Sequence, residues 1–354
     1  MLVMFELLNE GQMAALIGGM GGILLGLAAR MGRFCTLGAI EDYLYANSQT
    51  RLRMWGLSIG IAMFAVFAMM GADLFDPTRT GYLTMYWNPL YSIIGGVMFG
   101  YGMALSGNCG YGALARLGGG DLRSFVIVSV AGISAFVVMS GPLAAVRVMI
   151  FPVNEITDQA VPSIAYLLAD GLSVSVPVIG MTIAVIITGI TFMGDDFHRE
   201  QKAIFWSIVV GIAIASGWAG TQWIADNGFA SPDIRSHTFV APVGDTIIYA
   251  MNGSALGLNF AIGSVAGVLA GAFLGSMVKG HFRWEACEDP RELRRQIIGA
   301  AIMGVGAILA FGCSVGQGIT AFSLLAYSGP VTFAAIFFGA RIGLKQLIEG
   351  FAHA

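Results

Sequence analysis

Two cysteines of this chain lie in the same sequence pattern. A glycine pair at residues 100 and 102 precedes Cys109, and a glycine pair at residues 304 and 306 precedes Cys313, so both features repeat with one offset (304 − 100 = 313 − 109 = 204). In both places a short apolar, glycine-rich stretch ends in a cysteine that has a glycine neighbour. Interrupted hydrophobic segments in corresponding parts of a chain are typical of transporter binding sites. The pattern therefore predicts a site for a small substrate at these two cysteines.

A third cysteine, Cys35, follows the first apolar stretch in a run rich in glycine and arginine (residues 26–35). A buried cysteine is often only a small hydrophobic residue, and this is the simplest interpretation of any one of the three. Their common position at the ends of apolar segments favours a functional role. Cys287 differs, because it lies in the charged sequence EACED (285–289), and we predict that it is an exposed bystander.

The composition indicates the solvent that surrounds these residues. Of 354 residues, 56% are apolar and 11% are charged, and the mean hydropathy is +0.78. A soluble protein of this size needs far more charge on its surface, so we predict an integral membrane protein in contact with the lipid bilayer. The net charge of −3 and the lack of a basic run argue against nucleic acid as a partner. The first ten residues contain no lysine or arginine, so we expect no cleaved signal peptide.

Several stretches have the length of about 20 apolar residues that a membrane-spanning helix needs. Residues 246–278 are too long for one simple span, which predicts a broken helix or two pieces. Residues 91–106 and 297–311 lead to Cys109 and Cys313 but are too short to cross comfortably alone, so the turns after them should face inward rather than toward lipid. The predicted simple spans are 11–29, 54–72, 124–142, 171–193, 203–225 and 331–348.

Loop charges indicate an orientation and a symmetry. The basic loops that follow the first span and residue 278 are expected in the cytoplasm, and the two short segments then enter from opposite sides. We predict an all-α integral membrane protein with one polytopic domain (1–354). Two pseudo-symmetric, inverted-repeat halves (1–142 and 246–354) have broken or re-entrant short helices that meet at a central constriction, and residues 143–245 supply connecting spans and loops.

With these motifs, the chain resembles the YeeE/YedE family of sulfur transport proteins over nearly its whole length. The resemblance is carried by three segments that read RMGRFC, SGNCGYG and FGCSVGQG (30–35, 106–112 and 311–318). It implies an hourglass-shaped, multi-pass protein of the bacterial inner membrane that takes up thiosulfate. Cys35, Cys109 and Cys313 fall on the three functional cysteines of the family. The resemblance also implies a small TusA-like cytoplasmic sulfur carrier as a partner.

The family passes thiosulfate along thiols through weak S–H···S contacts, and the thiols should be neutral because a thiolate would repel the dianion. Backbone N–H groups at broken helix ends can compensate for the water that the anion loses. Arg30, Arg33 and Arg116 are candidates to attract it, although arginine also anchors cytoplasmic helix ends. We expect Asn108 and Gln317 to donate hydrogen bonds. Glycines beside the cysteines allow positive φ and close backbone approach to a ligand, and the remaining predicted binding residues are Gly107, Gly110, Gly312 and Ser314.

Two other functions stay open at this point. A membrane thiol oxidoreductase would use a C-x-x-C pair, which the sequence lacks. A soft-metal permease would place methionine or histidine beside the cysteines, whereas the 19 methionines are scattered. We expect no enzymatic activity, no cofactor and no resident metal. Four histidines lie in loops or at the tail, where solvated side chains are expected: His198, His237, His281 and His353.

Overall fold

The computed structural model describes residues 8–152, 161–193, 197–229, 233–287 and 289–350, and its regular secondary structure in these ranges is helical. Gly316–Ala321 form a π-helical turn between the last two helices. His353 and residues 1–7, which bear on the predictions about the tail and a signal peptide, lie outside the described residues. The helices are α1 (Glu10–Met31), α2 (Thr36–Tyr45), α3 (Thr50–Gly71), α4 (Gly81–Thr84), α5 (Pro89–Ser106), α6 (Gly110–Gly118), α7 (Leu122–Met139), α8 (Ala144–Ile150), α9 (Ile164–Leu172), α10 (Val176–Phe192), α11 (Gln201–Asn227), α12 (Val240–Asn252), α13 (Phe260–Val278), α14 (Pro290–Leu309) and α15 (Ser328–Glu349).

The predicted class, an all-α membrane protein, is confirmed. In the described part of the chain, seven helical segments are long and apolar enough to cross a membrane. Residues 246–278 contain the end of α12 and all of α13, so two separate helices, one of the two predicted arrangements, are found. Five predicted spans match observed helices within a few residues, namely those assigned to α1, α3, α7, α11 and α15.

Two predicted segments differ from the structure. Residues 171–193, predicted as one span, contain the end of α9 and all of α10, which meet at 117°. Ser173 makes this bend because its backbone is left-handed (φ 53°) and cannot continue the helix. The segment predicted as 297–311 is also longer, since α14 has 20 residues. Four of its first six residues are charged, so hydropathy detected only the apolar remainder.

Side-chain caps determine where the helices around the cysteine turns begin. Asn9 and Gln12 form a capping box at α1, in which the Asn9 Oδ1 accepts a hydrogen bond from the Gln12 N–H at 2.8 Å. Asn88 and Asp289 cap α5 and α14, and in both helices proline is the first residue. Proline suits this position because its missing N–H would have no intrahelical partner there. Local sequence therefore fixes the start of both helices that lead to the cysteines.

Glycine allows α1 and α13 to pack with their backbones in contact. A Cβ atom at Gly263, Gly267 or Gly271 would lie only 1.9–2.2 Å from a carbonyl oxygen of α1. Small residues at a spacing of four are typical of close helix pairs in membranes. These glycines serve helix packing, and they bring the end of α1 beside the end of α13.

The two helices that lead to the cysteines, α5 and α14, pack against each other in opposite directions. Gly95 lies against Gly306 and Ala310, whereas Gly102 lies against Gly299 and Met303. The end of α5 is therefore level with the first half of α14, and the chain leaves these helices toward opposite ends of the molecule. An inverted repeat of two complete halves, with the boundaries given above, stays a prediction.

Candidate functional site

All three motif cysteines lie at the start of a helix. Cys35 is the N-cap of α2, Cys109 is the N-cap of α6, and Cys313 directly precedes the helical residues 314–321. Cys109 and Cys313 are buried, and Cys35 is half-buried. The first N–H groups of a helix lack intrahelical partners and carry partial positive charge. Each cysteine therefore lies at a helix start whose backbone donors favour an anion, and the thiols of Cys109 and Cys313 each accept one such N–H.

The turn that carries Cys109 begins where α5 ends. Gly107 has a left-handed backbone (φ 76°), which glycine adopts without strain. The Cys109 Sγ accepts a hydrogen bond from the backbone N–H of Gly112 at 3.3 Å. Gly110 is helical, and a Cβ atom there would lie 3.0 Å from the Val240 side chain. Positive φ thus explains Gly107, whereas close packing explains Gly110.

The turn that carries Cys313 resembles the first. Phe311 is left-handed (φ 55°), and the Cys313 Sγ accepts a hydrogen bond from the N–H of Gly316 at 3.4 Å. The chain continues as the π-helical turn, a wide form that is frequent at functional sites. Gln317 closes this turn, because its side-chain amide donates to the carbonyl oxygens of Ala310 and Phe311 at 2.8 and 2.9 Å.

Threonine hydroxyls connect the two turns. Thr36 Oγ1 lies 3.9 Å from the Cys109 Sγ and 3.0 Å from the Ser314 Oγ, within hydrogen-bonding distance of both. Thr238 Oγ1 lies 3.5 Å from the Cys313 Sγ. Thr238 is half-buried and the other four groups are buried. The polar row, as we call these residues, runs through the protein in the order Thr238, Cys313, Ser314, Thr36, Cys109.

A cavity of about 320 Å³ adjoins the polar row. Cys35 lines it together with Gly107 and Asn108, and its neighbour Thr36 contacts both the Cys109 thiol and Ser314, the residue after Cys313. All three predicted cysteines therefore converge in space. We call the end of the protein with this cavity the basic face, because the cavity lining also contains Arg30, Arg33, Arg51, Arg116, Lys279 and His281, alongside the acidic Glu41.

Neighbouring helices hold the cations of the basic face in place. Arg30 Nε donates to the Ser276 Oγ of α13 at 2.7 Å, and Lys279 donates to two carbonyl oxygens at the end of α1. Partial burial, followed by the charges of Arg33 and Arg30, lowers the pKa of the Lys279 ammonium group. The structure thus brings the three predicted arginines, including Arg116, to one cavity where like charges repel. An anion in this cavity would relieve that repulsion.

Two buried amides beside the cysteines are only partly paired. The Asn108 Nδ2 has no hydrogen-bond partner among the described residues, so it is available to donate to an anion. Gln317 differs from the expectation, because both N–H groups of its amide are taken by backbone carbonyls and its unpaired atom is the acceptor Oε1. We therefore infer that Gln317 stabilises the Cys313 turn rather than donating a hydrogen bond to a substrate. Gly312 packs against the Gln317 side chain.

Aromatic rings cover Cys313 on the side away from the basic face. Tyr82 meets Phe311 edge-on with ring centroids 5.6 Å apart, and it also meets Trp218. Burial, and then the nearby Cys313 thiol, raises the pKa of the Tyr82 hydroxyl, which therefore stays a neutral donor. The row of thiols and hydroxyls lies between these rings and the basic cavity.

Sequence reasoning missed three residues of this site. Thr36 and Thr238 meet the thiols only through the fold, and the available signal was their position beside a helix start. The expectation of solvated histidines is wrong for His237, which is fully buried with its Nδ1 2.6 Å from the Ser264 Oγ. This contact ties the segment that carries Thr238 to α13.

Comparison with known proteins bears on this geometry. A family model described as sulphur transport matches residues 31–342, a range that contains Cys35, Cys109 and Cys313. The chain is 26% identical over 331 residues to the thiosulfate transporter TsuA of Spirochaeta thermophila, with 90% of this chain and 93% of the relative covered. It is 22% identical over 340 residues to the thiosulfate transporter TsuA of Escherichia coli, with 90% of each chain covered.

Proposed function

The chain belongs to the sulphur transport family, and on this premise we propose that it carries thiosulfate, or a closely related small sulfur compound, across the bacterial inner membrane into the cytoplasm. The observation that supports the proposal is the polar row. It joins two buried thiols through hydroxyls, and its last members, Thr36 and Cys109, are the chain neighbours of Cys35 and Asn108, which line the basic cavity. Residues from four separate parts of the chain contribute, so the arrangement belongs to the fold rather than to one motif.

Neutral thiols suit the soft end of thiosulfate. A cysteine S–H is a weak donor, and the terminal sulfur of the ion is a polarizable acceptor. Several weak contacts in series allow an ion to enter and also to leave, as transport requires. A thiolate in the same position would repel the dianion, so the relay needs Cys109 and Cys313 in their protonated form.

The charge of the ion is balanced by donors along the pathway. Gly112 and Gly316 already direct backbone N–H groups at the two buried thiols, and helix starts favour anions. The unpaired Asn108 Nδ2 adds a donor at the cavity, and the cations of the basic face follow. The positive charge that attracts the anion therefore increases from the buried turns toward the cavity.

Direction follows from the distribution of charge. Cytoplasmic ends of membrane proteins are enriched in lysine and arginine, so the basic face is the cytoplasmic one and the aromatic cover over Cys313 lies outside. The open cavity is then the place of release. A small TusA-like sulfur carrier is the proposed recipient of the cargo at this face.

Uptake of labelled thiosulfate tests the proposal. The host is a bacterium that lacks its own sulfate and thiosulfate uptake, and the chain should restore both uptake and growth on thiosulfate. Cys109→Ala and Cys313→Ala should reduce uptake to that of cells without the protein. Cys287→Ala is the matched control, because this cysteine lies in a loop and its thiol donates to the carbonyl oxygen of the nearby Asp289, and it should retain uptake.

Other results would contradict the proposal in distinct ways. Normal uptake by the two alanine variants would contradict the thiol relay but would still support transport of thiosulfate. Failure of the unaltered protein to take up thiosulfate, together with quinone reduction by the purified protein, would favour a membrane thiol oxidoreductase. Rescue that depends on a soft metal would favour a metal permease.

A further inference from the structure

We infer that Thr36 and Thr238 determine the specificity of the pathway, because their hydroxyls bind the sulfonate oxygens of the cargo while the adjacent thiols meet its terminal sulfur. This inference rests on the proposed function, since it takes the cargo to be thiosulfate. Each buried thiol lies within hydrogen-bonding distance of a threonine hydroxyl, at 3.9 Å for Cys109 and 3.5 Å for Cys313.

Thr36 is placed to change its hydrogen-bond partner. A hydroxyl has one hydrogen and two acceptor lone pairs, yet Thr36 Oγ1 is near both the Cys109 Sγ and the Ser314 Oγ. It can donate to only one of them at a time. Rotation toward an oxygen of an arriving anion would exchange one hydrogen bond for a stronger, charge-assisted one. The hydroxyl can therefore turn from one partner to the anion when the anion reaches the polar row.

Thr238 is packed against the second turn by contacts on both sides. The carbonyl oxygen of the preceding residue, His237, accepts a hydrogen bond from Thr320 Oγ1 at 2.7 Å. On the other side, a Cβ atom at Gly316 would lie 2.6 Å from Thr238 Oγ1, so the glycine leaves room for this hydroxyl. Contacts on both sides thus position Thr238 beside the Cys313 thiol and the first N–H groups of the π-helical turn.

The chemistry of the ion requires two kinds of contact. Thiosulfate has one soft terminal sulfur and three hard oxygens that share its charge. Thiols are weak donors for hard oxygens, whereas hydroxyl donors to charged oxygens form strong hydrogen bonds. A thiol and a hydroxyl side by side recognise both ends of one small ion. Hydrosulfide lacks the oxygens and sulfate lacks the soft sulfur, so neither fits the pair as well.

The test measures KM and the maximal uptake rate for labelled thiosulfate in valine and serine variants of Thr36 and Thr238. Valine keeps the branched shape but removes the hydroxyl, and loss of a hydrogen bond to a charged ligand should raise KM about tenfold. Serine keeps the hydroxyl and should restore KM. Hydrosulfide has no oxygens for these hydroxyls to bind. Its inhibition of thiosulfate uptake should therefore be the same in the valine variants as in the unaltered protein.

Thr332→Val is the matched control. Thr332 is also fully buried, and its hydroxyl has no hydrogen-bond partner among the residues that the structure describes. This variant should keep the KM of the unaltered protein. If a valine variant does not reach the membrane, Thr36→Cys and Thr238→Cys take its place, and they should also raise KM because a thiol is the weaker donor.

Unchanged KM in the valine or cysteine variants would overturn the inference. Serine variants as impaired as the valine variants would also overturn it, since the methyl group and not the hydroxyl would then matter. These results are distinct from failure of the proposed function, which would show as absence of thiosulfate uptake by the unaltered protein.

Discussion

The turns at Cys109 and Cys313 have the same backbone design in different surroundings. In each, a left-handed residue two positions before the cysteine ends the helix, Gly107 in one and Phe311 in the other. In each, the thiol accepts the N–H three residues later, and the cysteine carbonyl accepts the N–H four residues later at 2.8 Å. The two cysteine motifs, which lie 204 residues apart in the sequence, therefore also form equivalent hydrogen bonds.

The surroundings separate the two turns. The first continues as the regular helix α6 and borders the open cavity of the basic face. The second continues as the π-helical turn and is enclosed by Thr238, Tyr82 and Phe311. One chemical unit thus occurs once in an open setting and once in a closed one, as entry and release of a cargo would require.

The largest expected loss of uptake comes from a substitution that tests how tightly the second turn is enclosed. Gly316→Ala would place a Cβ atom 2.6 Å from Thr238 Oγ1, whereas at Gly112 the nearest atom is the Asn108 Oδ1 at 3.2 Å. We expect Gly316→Ala to lower thiosulfate uptake about tenfold or more, because a clash beside a binding group misplaces it. Gly112→Ala should lose much less. Equal losses, at equal amounts of protein in the membrane, would mean that the two settings do not differ as described.

A smaller effect tests the left-handed residues. Gly107→Ala meets no atom within 4 Å, so its cost is backbone strain alone, about 1–2 kcal/mol. Phe311→Gly and Phe311→Ala both lose the ring contact with Tyr82, but only glycine relieves the strain and should be the more stable by about 1 kcal/mol. Thermal unfolding in detergent measures both differences. An alanine variant at residue 311 as stable as the glycine variant would argue against strain there.

The smallest expected effect concerns Lys279 at the open cavity of the basic face. Partial burial and the charges of Arg33 and Arg30 lower the pKa of Lys279, so its charge is lost at a lower pH than that of an ordinary lysine. Lys279→Gln should raise the KM for thiosulfate about twofold at neutral pH, the modest effect of one screened charge. The further rise of KM at alkaline pH should be shallower in the variant. A parallel pH dependence in both proteins would exclude a contribution of Lys279.

Some features of the site followed from local sequence. The composition required a membrane as solvent, and hydropathy located α1, α3, α7, α11 and α15 within a few residues, because a span is a property of consecutive residues. The turn at Gly107 was also local, since Gly107 lies only two residues before Cys109 in the motif. The length of α14 was misjudged for the same reason: its charged first turns lower the average hydropathy although Asp289 and Pro290 start the helix there.

Other features depended on packing between distant parts of the chain. Thr36 reaches Ser314 across 278 residues, and Thr238 reaches Cys313 only because the segment that contains the buried His237 is fixed against α13. Gln317 was expected to donate to the substrate, but its side-chain N–H groups donate to the backbone carbonyls of Ala310 and Phe311. The sequence by itself determined the solvent, the helices and the repeated cysteine unit, all of which arise from neighbouring residues. Tertiary structure decided which hydroxyls and charges meet those thiols, because such contacts depend on the packing of helices that no local pattern encodes.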